Sequence, residues 1–470
     1  MKTLPVLILS LACSGLFAQN TALENLDARQ EAYGDIALQI WQWAEMGYQE
    51  TQSSALLQKT LKDAGFSIRS GVAGIPTAFV AQYGSGSPVI GILGEYDALP
   101  GLSQQAVPRK ESAGGAAGHA CGHHLFGTAS AAAAIAAKEW LEDSGGSGTI
   151  RFYGCPAEEG GSGKVYMVRA GLFDDLDAAL HWHPGSSNNA NPGAALANKS
   201  AKFRFHGISA HAASAPERGR SALDGVEAMN VMVNMMREHI PEDARIHYVI
   251  TEGGKAPNVV PDFAEVYYYA RHTTREVVID VFDRIVKAAE GAALGTGTTM
   301  DYEMIGGTHE LLPNLTLQRV VHRNLEAAGG VSYTTEEAEF AAKIQESLGT
   351  PGLGTESAGQ IEPLEDAGQA GGSTDVGDVS FAVPTGGLRV ATWVPGTPAH
   401  SWQAVAAGGT GIGVKGMMTA ARTLARTAID LFSEPETLRA ARTEFEERRG
   451  PDFNYVPLLG DREPALDYRE

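Results

Sequence analysis

The chain has 470 residues, of which 36 are Lys or Arg and 56 are Asp or Glu, so its formal net charge is −20. This acidic balance excludes a protein that binds nucleic acid by covering phosphates with basic side chains. Hydrophobic residues make up 43% and charged residues 20% of the chain, a globular composition that excludes extensive disorder. A length near three times a usual domain of ~150 residues favours at least two domains.

The first 18 residues predict an export signal. Lys2 precedes an apolar run at residues 4–12, and small residues precede a cleavage site after Ala18. The run is shorter than the roughly 20 residues that span a bilayer, and we expect no integral membrane segment elsewhere. Cys13 leaves a lipoprotein as the alternative, but Ser10 stands where such a signal is expected to have Leu. We therefore expect an exported protein, periplasmic or extracellular.

Residues 19–197 predict the first part of an α/β domain. Apolar residues have helical spacing over residues 23–65, and an alanine-rich helix follows His124. Short β-type runs occur at residues 77–82, 89–93, 149–153 and 178–182. Strands that alternate with helices predict a mainly parallel sheet, in which ligands bind beyond the carboxyl ends of the strands.

Residues 198–310 predict a separate, smaller domain that is inserted in the first. Their element order, β-α-β-β-α-β, is that of a ferredoxin-like split βαβ sandwich. Residues 311–470 then return the chain to the larger domain. Their last forty positions are charged and contain prolines, which predicts a solvated helix followed by an extended tail.

Five of the 13 histidines lie in two short windows, HACGHH at residues 119–124 and HWHP at residues 181–184. Cys121 lies near the start of the alanine-rich helix, where a thiolate is favoured. Cys and His two residues apart can bind one metal ion, so we expect a metal site here. A disulfide with Cys155 is the alternative for an exported protein.

Polar side chains follow four of the predicted strands. Glu158 and Glu159 follow one strand, and Asp97, His183 and His400 follow or end three others. A Glu-Glu pair is often only a solvated acidic loop, but the shared position at strand ends places these groups at one edge of the sheet. Burying adjacent carboxylates is costly without a cation, so a two-metal site is the economical interpretation.

Six motifs are spread over nearly the whole mature chain: GEYDALPG, HACGHH, GCPAEEGGSGK, GISAHAASAPERGRSALD, APNVVP and PLLGDREPALDYR. Together they resemble the zinc- or manganese-dependent family of amidohydrolases and peptidases that includes aminoacylases, carboxypeptidase G and indole-acetyl-amino-acid hydrolases. The resemblance implies a catalytic α/β domain and an inserted lid that usually provides the dimer contact.

The resemblance implies two divalent ions, zinc or manganese. Cys121 would bridge them, and the remaining ligands would be His123 and His183 for one ion, Glu159 and His400 for the other. Glu158 would then be the general base that activates a metal-bound water. A cysteine that binds metal cannot also pair with Cys155, which we interpret as a small core residue.

Further roles are implied for residues around these ligands. Asp97 would orient a ligand histidine, although a turn-stabilising Asp is the alternative. His124 departs from the family, which commonly has Asp or Asn there. His119 and His181 are interpreted as structural or as neighbours of the ligands.

In the inserted domain, His211 resembles the lid histidine that polarises the scissile carbonyl, often from the partner subunit. Asn258 and Arg271 resemble a pair that holds a substrate carboxylate. Without the motifs, His211 would be an ordinary loop residue and Arg271 a surface cation at a strand end. We expect a homodimer through the lid and a small-molecule substrate with a free carboxylate, and a second type of subunit is possible.

These residues predict an amidohydrolase that cleaves an N-acyl or N-aroyl amino acid, for example compounds like aminobenzoyl-glutamate. A dipeptidase or aminoacylase on the same scaffold is a close alternative. A non-catalytic metal-dependent binding or regulatory subunit is another, but it would have no need of the Glu158 base. A serine hydrolase is disfavoured because no G-x-S-x-G elbow follows a predicted strand in the needed setting.

Overall fold

The computed structural model describes residues 17–191, 195–349, 353–366 and 371–469. The predicted signal at residues 1–18 lies outside this part of the chain except for its last two residues, which begin a helix. Among the described residues, none of the helices combines the length and the apolar character needed to cross a membrane.

The strands, numbered in chain order, form one larger mixed sheet, one antiparallel sheet and a short two-stranded ribbon. Their bounds are β1 Ser67–Ser70, β2 Phe79–Ser85, β3 Val89–Glu95, β4 Leu99–Pro100, β5 Ala117–Gly118, β6 Gly148–Cys155, β7 Ala178–Gly185, β8 Ala197–His206, β9 Arg245–Glu252, β10 Phe263–His272, β11 Thr299–Thr308 and β12 Thr385–Ala391.

The helices begin with α1 at residues 17–28. The others are α2 Gln30–Trp43, α3 Thr51–Asp63, α4 His123–Ser144, α5 Glu158–Gly161, α6 Gly163–Arg169, α7 Ala222–Met236, α8 Arg275–Thr296, α9 Leu315–Ala328, α10 Thr335–Glu346, α11 Val376–Ala382, α12 Trp402–Gly408, α13 Gly411–Ser433 and α14 Pro435–Arg449. The helical region predicted at residues 23–65 is thus divided, and its break at residues 44–50 faces the site described below.

The larger sheet has the strand order β1-β2-β6-β3-β7-β12. Strands β6, β3, β7 and β12 run parallel to their neighbours in this set, and β2 is antiparallel to both β1 and β6. The prediction of a mainly parallel α/β sheet is confirmed. Helices α2, α4 and α13 share one apolar cluster with the sheet, and α6 and α11 share another.

The alanine-rich helix α4 packs closely on the sheet because its side chains are small. Nearly all of its first fifteen residues are buried. At Gly127 the approach is so close that a Cβ would lie 2.7 Å from the carbonyl oxygen of Glu95 at the end of β3. This packing holds the first turn of α4 against the carboxyl ends of the parallel strands.

The inserted region has the predicted order β8-α7-β9-β10-α8-β11. Its antiparallel sheet has the strand order β11-β8-β10-β9, and α7 and α8 share its apolar core. We call this unit, from Ala197 to Thr308, the lid. Strand β9 lies at one edge of its sheet.

The end of the chain is more buried than the sequence predicts. Helix α14, predicted to be solvated, buries Leu438 and Phe445 on one face. The tail after it contains no helix or strand among its described residues, as expected of an extended segment, but its Leu458 and Leu459 are buried on the protein.

Candidate metal centre

The candidate ligands meet at the carboxyl edge of the parallel strands. Cys121 and His123 lie at the start of α4, and His183 lies near the end of β7. Glu159 belongs to the short turn α5 after β6, and His400 follows β12 by nine residues. The topology therefore gathers residues from four separate chain segments in one place.

Two sets of three donor atoms are formed, each with its atoms within 4.8 Å of one another: Cys121, His123 and His183, and Cys121, Glu159 and His400. The Cys121 sulfur is 3.3 Å from His183 Nε2, and Glu159 Oε1 is 3.1 Å from His400 Nε2. Ligands of a tetrahedral zinc ion, bound at about 2.0–2.3 Å, are about 3.3–3.8 Å apart. Each set thus has the size of a site for one ion, and Cys121 belongs to both.

The imidazoles of the first set are oriented for metal binding. His123 Nδ1 donates to Asp97 Oδ1 at 2.8 Å, and His183 Nδ1 donates to the Pro184 carbonyl at 2.7 Å. Both Nε2 atoms are thereby left for a ligand. Among the described residues, His123 Nε2 and Glu159 Oε1 are buried, and the polar atoms that face them at 3.1 Å, Glu95 Oε2 and His400 Nε2, belong to other candidate donors, as expected where several groups would surround a cation.

The electrostatics also favour a cation. Burial, and then the charge of Glu159, raise the pKa of the Cys121 thiol and raise that of Glu158 well above its usual value. Burial would lower the pKa of His123, but Cys121, Asp97 and Glu95 raise it well above its usual value. Burial thus opposes the thiolate that the start of α4 favours, and a divalent ion would reverse this.

Asp97 links the two donor sets. Besides accepting from His123, it accepts from the backbone N–H of Glu159 through Oδ2 at 2.9 Å. Its side chain is fully buried. It therefore fixes one ligand imidazole and the turn that supplies a ligand carboxylate.

The turn that holds Glu158 and Glu159 has a strained backbone. Ala157 and Ser162, on either side of it, are non-glycine residues with φ of 55° and 58°, a left-handed conformation that surrounding contacts must maintain. The Ala157 N–H donates to buried Glu50 at 2.8 Å. Burial, and then the charge of Asp97, raise the pKa of Glu50 to about 8.

Sequence reasoning missed a buried ion cluster beside the first donor set. Lys164 Nζ lies 2.5 Å from Glu95 Oε1 and 2.7 Å from Asp375 Oδ1, and Glu95 Oε2 lies 3.1 Å from His123 Nε2. With Glu158 and His123, Glu95 also forms a third group of candidate donors. The sequence does carry a signal for this cluster: Glu95 ends an apolar strand, and Lys164 lies at the start of an apolar helix.

Of the remaining histidines of the two windows, His119 and His124 are buried and His181 is half-buried. His119 Nε2 is 3.1 Å from the Ile40 carbonyl oxygen, and His124 Nε2 is 3.0 Å from that of Gly408. Burial lowers the pKa of His119 and that of His181 to about 3. His124 thus bonds to the last residue of α12.

Arg271 lies one residue before the end of β10, and its guanidinium lies over the Tyr269 ring at 5.1 Å. Its Nε is buried without a hydrogen-bond partner among the described residues. The hydrogen bond with Glu159 raises the pKa of His400, and the charge of Arg271 opposes that rise. Arg271 therefore lies near the second donor set.

His211 and Asn258 lie at the opposite end of the lid. The Ala212 N–H donates to the Asn258 carbonyl oxygen at 3.0 Å, and both His211 and Asn258 are exposed. They lie before Phe263, the start of β10, and Arg271 is eight positions further along that strand, a length of about 26 Å. Within one chain the structure does not bring Asn258 and Arg271 together.

Both described cysteines after the predicted signal, Cys121 and Cys155, are buried and free. The Cys155 sulfur lies 3.2 Å from the Tyr153 carbonyl oxygen. The disulfide alternative is therefore absent from the described structure.

A mainly parallel α/β sheet with candidate metal-donor sets at its carboxyl edge is an arrangement suited to hydrolysis by metal-activated water. The chain belongs to the peptidase family M20/M25/M40, whose family model matches residues 91–401. As a member of this family it is a hydrolase of amide bonds. The matched residues include both donor sets and Glu158.

The chain is similar to curated members of the family over most of its length. It is 43% identical to the B-type subunit of p-aminobenzoyl-glutamate hydrolase from Escherichia coli (strain K12) over 467 residues, which cover 94% of this chain and 97% of the relative. It is 29% identical to the Xaa-Arg dipeptidase of Mus musculus, covering 90% and 91% of the two chains.

The fold is shared with solved structures. A crystal structure of an aminobenzoyl-glutamate utilization protein from Klebsiella pneumoniae superposes with a TM-score of 0.62 at 18% identity, covering 87% of this chain and 97% of that one. This likeness shows that the two proteins share a fold.

Proposed function

We propose that the chain hydrolyses the amide bond of an N-acyl or N-aroyl amino acid, with compounds like p-aminobenzoyl-glutamate as the first substrates to test. Two divalent ions, zinc or manganese, would be its cofactors. The observation that carries this proposal is the sharing of Cys121 by two donor sets next to the half-buried carboxylate of Glu158. The similarity to the p-aminobenzoyl-glutamate hydrolase of E. coli supports the substrate class.

The bound ions would supply Lewis-acid chemistry to the attacking water and the scissile carbonyl. Glu158 would accept a proton from that water as its oxygen bonds to the carbonyl carbon. The same carboxyl group would then give the proton to the amide nitrogen as the C–N bond breaks. Burial and the charge of Glu159 raise the pKa of Glu158, which suits a group that must hold a proton between these two steps.

Arg271 would bind the free carboxylate of the substrate. Its buried Nε has no hydrogen-bond partner among the described residues, and a guanidinium can bind a carboxylate through two parallel hydrogen bonds. Because the whole chain has a net charge of −20, an anionic substrate needs such a local positive group.

The lid would form a homodimer. Met232 and Met235 of α7 and Val249 and Ile250 of the edge strand β9 are exposed, and exposed apolar residues beside a free strand edge are typical of an interface. In such a dimer, His211 and Asn258 of one protomer would complete the site of the other. The E. coli relative is named as one of the subunit types of its hydrolase, so a second subunit type is an additional candidate partner.

Export would follow from the signal at residues 1–18, which is cleaved after Ala18 in this proposal. Cell fractionation and sequencing of the mature amino terminus test it. A periplasmic chain that begins at Gln19 is expected, and a lipid-modified Cys13 would identify a lipoprotein instead.

Hydrolysis of N-acyl, N-aroyl and dipeptide substrates, with added Zn²⁺ or Mn²⁺ and a chelator control, tests the activity. Xaa-Arg dipeptides belong in the screen because of the similarity to an Xaa-Arg dipeptidase. Glu158→Gln should lower turnover by about 10²–10⁴-fold while metal binding persists, and Glu142→Gln, on the exposed end of α4, is the matched control. Activity that survives the chelator, or a fall of less than tenfold in Glu158→Gln, would contradict the proposal.

A further inference from the structure

Residues 458–469 run from the lid to the turn that holds Glu158 and Glu159. Leu458 and Leu459 pack against Gly307 of lid strand β11, where a Cβ would lie 2.6 Å from the backbone carbon of Leu458. The guanidinium of Arg462 donates to the carbonyl oxygens of Met304 and Ile305 in the same strand. The tail, which leaves α14 of the larger domain and bonds to it through Tyr455 and Asp378, therefore also contacts the lid before it reaches the turn.

The end of the tail bonds to the backbone of a candidate ligand. The Tyr468 hydroxyl donates to the carbonyl oxygen of Glu159 at 2.9 Å, and Arg469 Nη2 donates to the same oxygen. The Arg469 guanidinium lies over the Tyr468 ring at 4.6 Å. The Tyr468 ring in turn meets Tyr48 edge to face, with centroids 5.5 Å apart.

These contacts complete the support of the turn. Asp97 accepts the N–H of Glu159, so this residue is held on both sides of its Cα. Tyr48 also donates to the carbonyl oxygen of Gly161 at 2.7 Å. Because Ala157 and Ser162 have left-handed backbones, the turn depends on such outside contacts to keep its shape.

The second donor set depends on this turn far more than the first. Glu159 reaches Cys121 and His400 only from the turn, whereas His123 and His183 are fixed by α4 and β7. A displaced Glu159 would therefore weaken one ion site and leave the other nearly intact. Glu158, on the same turn, would lose its alignment with the substrate.

We propose that Tyr468 and Arg469 are positioning residues, which hold the Glu159 carbonyl so that the tail sets the second ion site and the Glu158 base while tying both to lid strand β11. The proposal rests on the proposed function, because these residues act only through Glu158 and Glu159. It assigns a role in the site to the end of the chain, more than 300 residues from the turn.

The test uses the full chain with the variants Tyr468→Phe, Arg469→Met and both together. Titration calorimetry with Zn²⁺ alone should show two ions in the original chain. In the double variant the affinity for one ion should fall by about 10–100-fold, the range for lost support of a metal ligand, with the other ion unchanged within twofold. The kcat for p-aminobenzoyl-glutamate should fall by a similar factor, with little change in KM.

Two further variants separate positioning from general destabilisation. Tyr83→Phe removes a hydroxyl whose partner is the exposed Glu142, and it should not change the affinity for either ion. Gly47→Ala leaves the tail sequence intact, but its Cβ would clash with the Tyr468 hydroxyl and lie 2.9 Å from the Cβ of Ala157, so it should reproduce the selective loss.

Three results would each overturn the proposal. The double variant could lose affinity for both ions equally, it could keep both affinities unchanged, or the original chain could bind only one ion. If the original chain binds two ions but hydrolyses none of the amides, the proposed substrate class fails, and the titration alone still decides whether the tail positions Glu159.

Discussion

Replacing Lys164 with Met should strongly destabilise the larger domain. Lys164 is fully buried between Glu95 and Asp375; burial would lower its pKa, but these two carboxylates raise it well above its usual value. Met retains most of the side-chain volume but leaves both carboxylates without their cation. Breaking a buried ion pair costs about 3–5 kcal/mol, a large fraction of a total stability of about 5–15 kcal/mol.

Urea unfolding at pH 7 measures this cost, with a chelator present so that bound metal does not mask it. In a thermal scan the same loss corresponds to about 6–20 °C, at about 2–4 °C per kcal/mol. Lys59→Met, in an exposed pair with Asp63, should leave the midpoint almost unchanged. Adding Asp375→Asn to Lys164→Met should restore part of the lost stability. A loss below about 1 kcal/mol in Lys164→Met would refute the reasoning from buried charge.

Three further predictions concern other parts of the molecule. Cys121→Ser should weaken the binding of both ions, because both donor sets use this sulfur. Cys155→Ser should retain two ions per chain by elemental analysis. Retention of both ions in Cys121→Ser would contradict a shared ligand. Burial raises the pKa of Asp378 to about 7 from its ordinary 3.8, so the folded chain keeps a proton that the unfolded chain releases. This contribution to stability is complete below about pH 4 and is lost by about pH 7, so the free energy of unfolding should fall by about 4 kcal/mol across this range. Urea melts at several pH values should show the fall, and Asp378→Asn should reduce it. An equal dependence of stability on pH in the two chains would exclude Asp378 as the source. Val249→Lys, on the exposed edge strand of the lid, should convert a dimer to monomers in sedimentation, and an unchanged dimer would exclude this surface.

The sheet and the position of the donor sets were predictable because they follow from local patterns. Short apolar strands that alternate with helices indicate a parallel sheet, and polar residues at the carboxyl ends of such strands must lie at one edge. The positions of Asp97, Glu159 and His183 at this edge follow from that pattern alone. The β-α-β-β-α-β order of the lid was equally readable, because each element has its own periodicity.

The groups that support the site are joined across long stretches of chain, where no local pattern reports the partner. Glu50 bonds to the turn 107 residues later, and Lys164 pairs with Asp375 across 211 residues. Such groups appear in sequence as single charges in apolar surroundings, and a buried charge without its partner is too costly to persist. The presence of a charge in an apolar strand or helix therefore predicts that a partner exists, and the tertiary packing of the sheet and helices determines which residue it is.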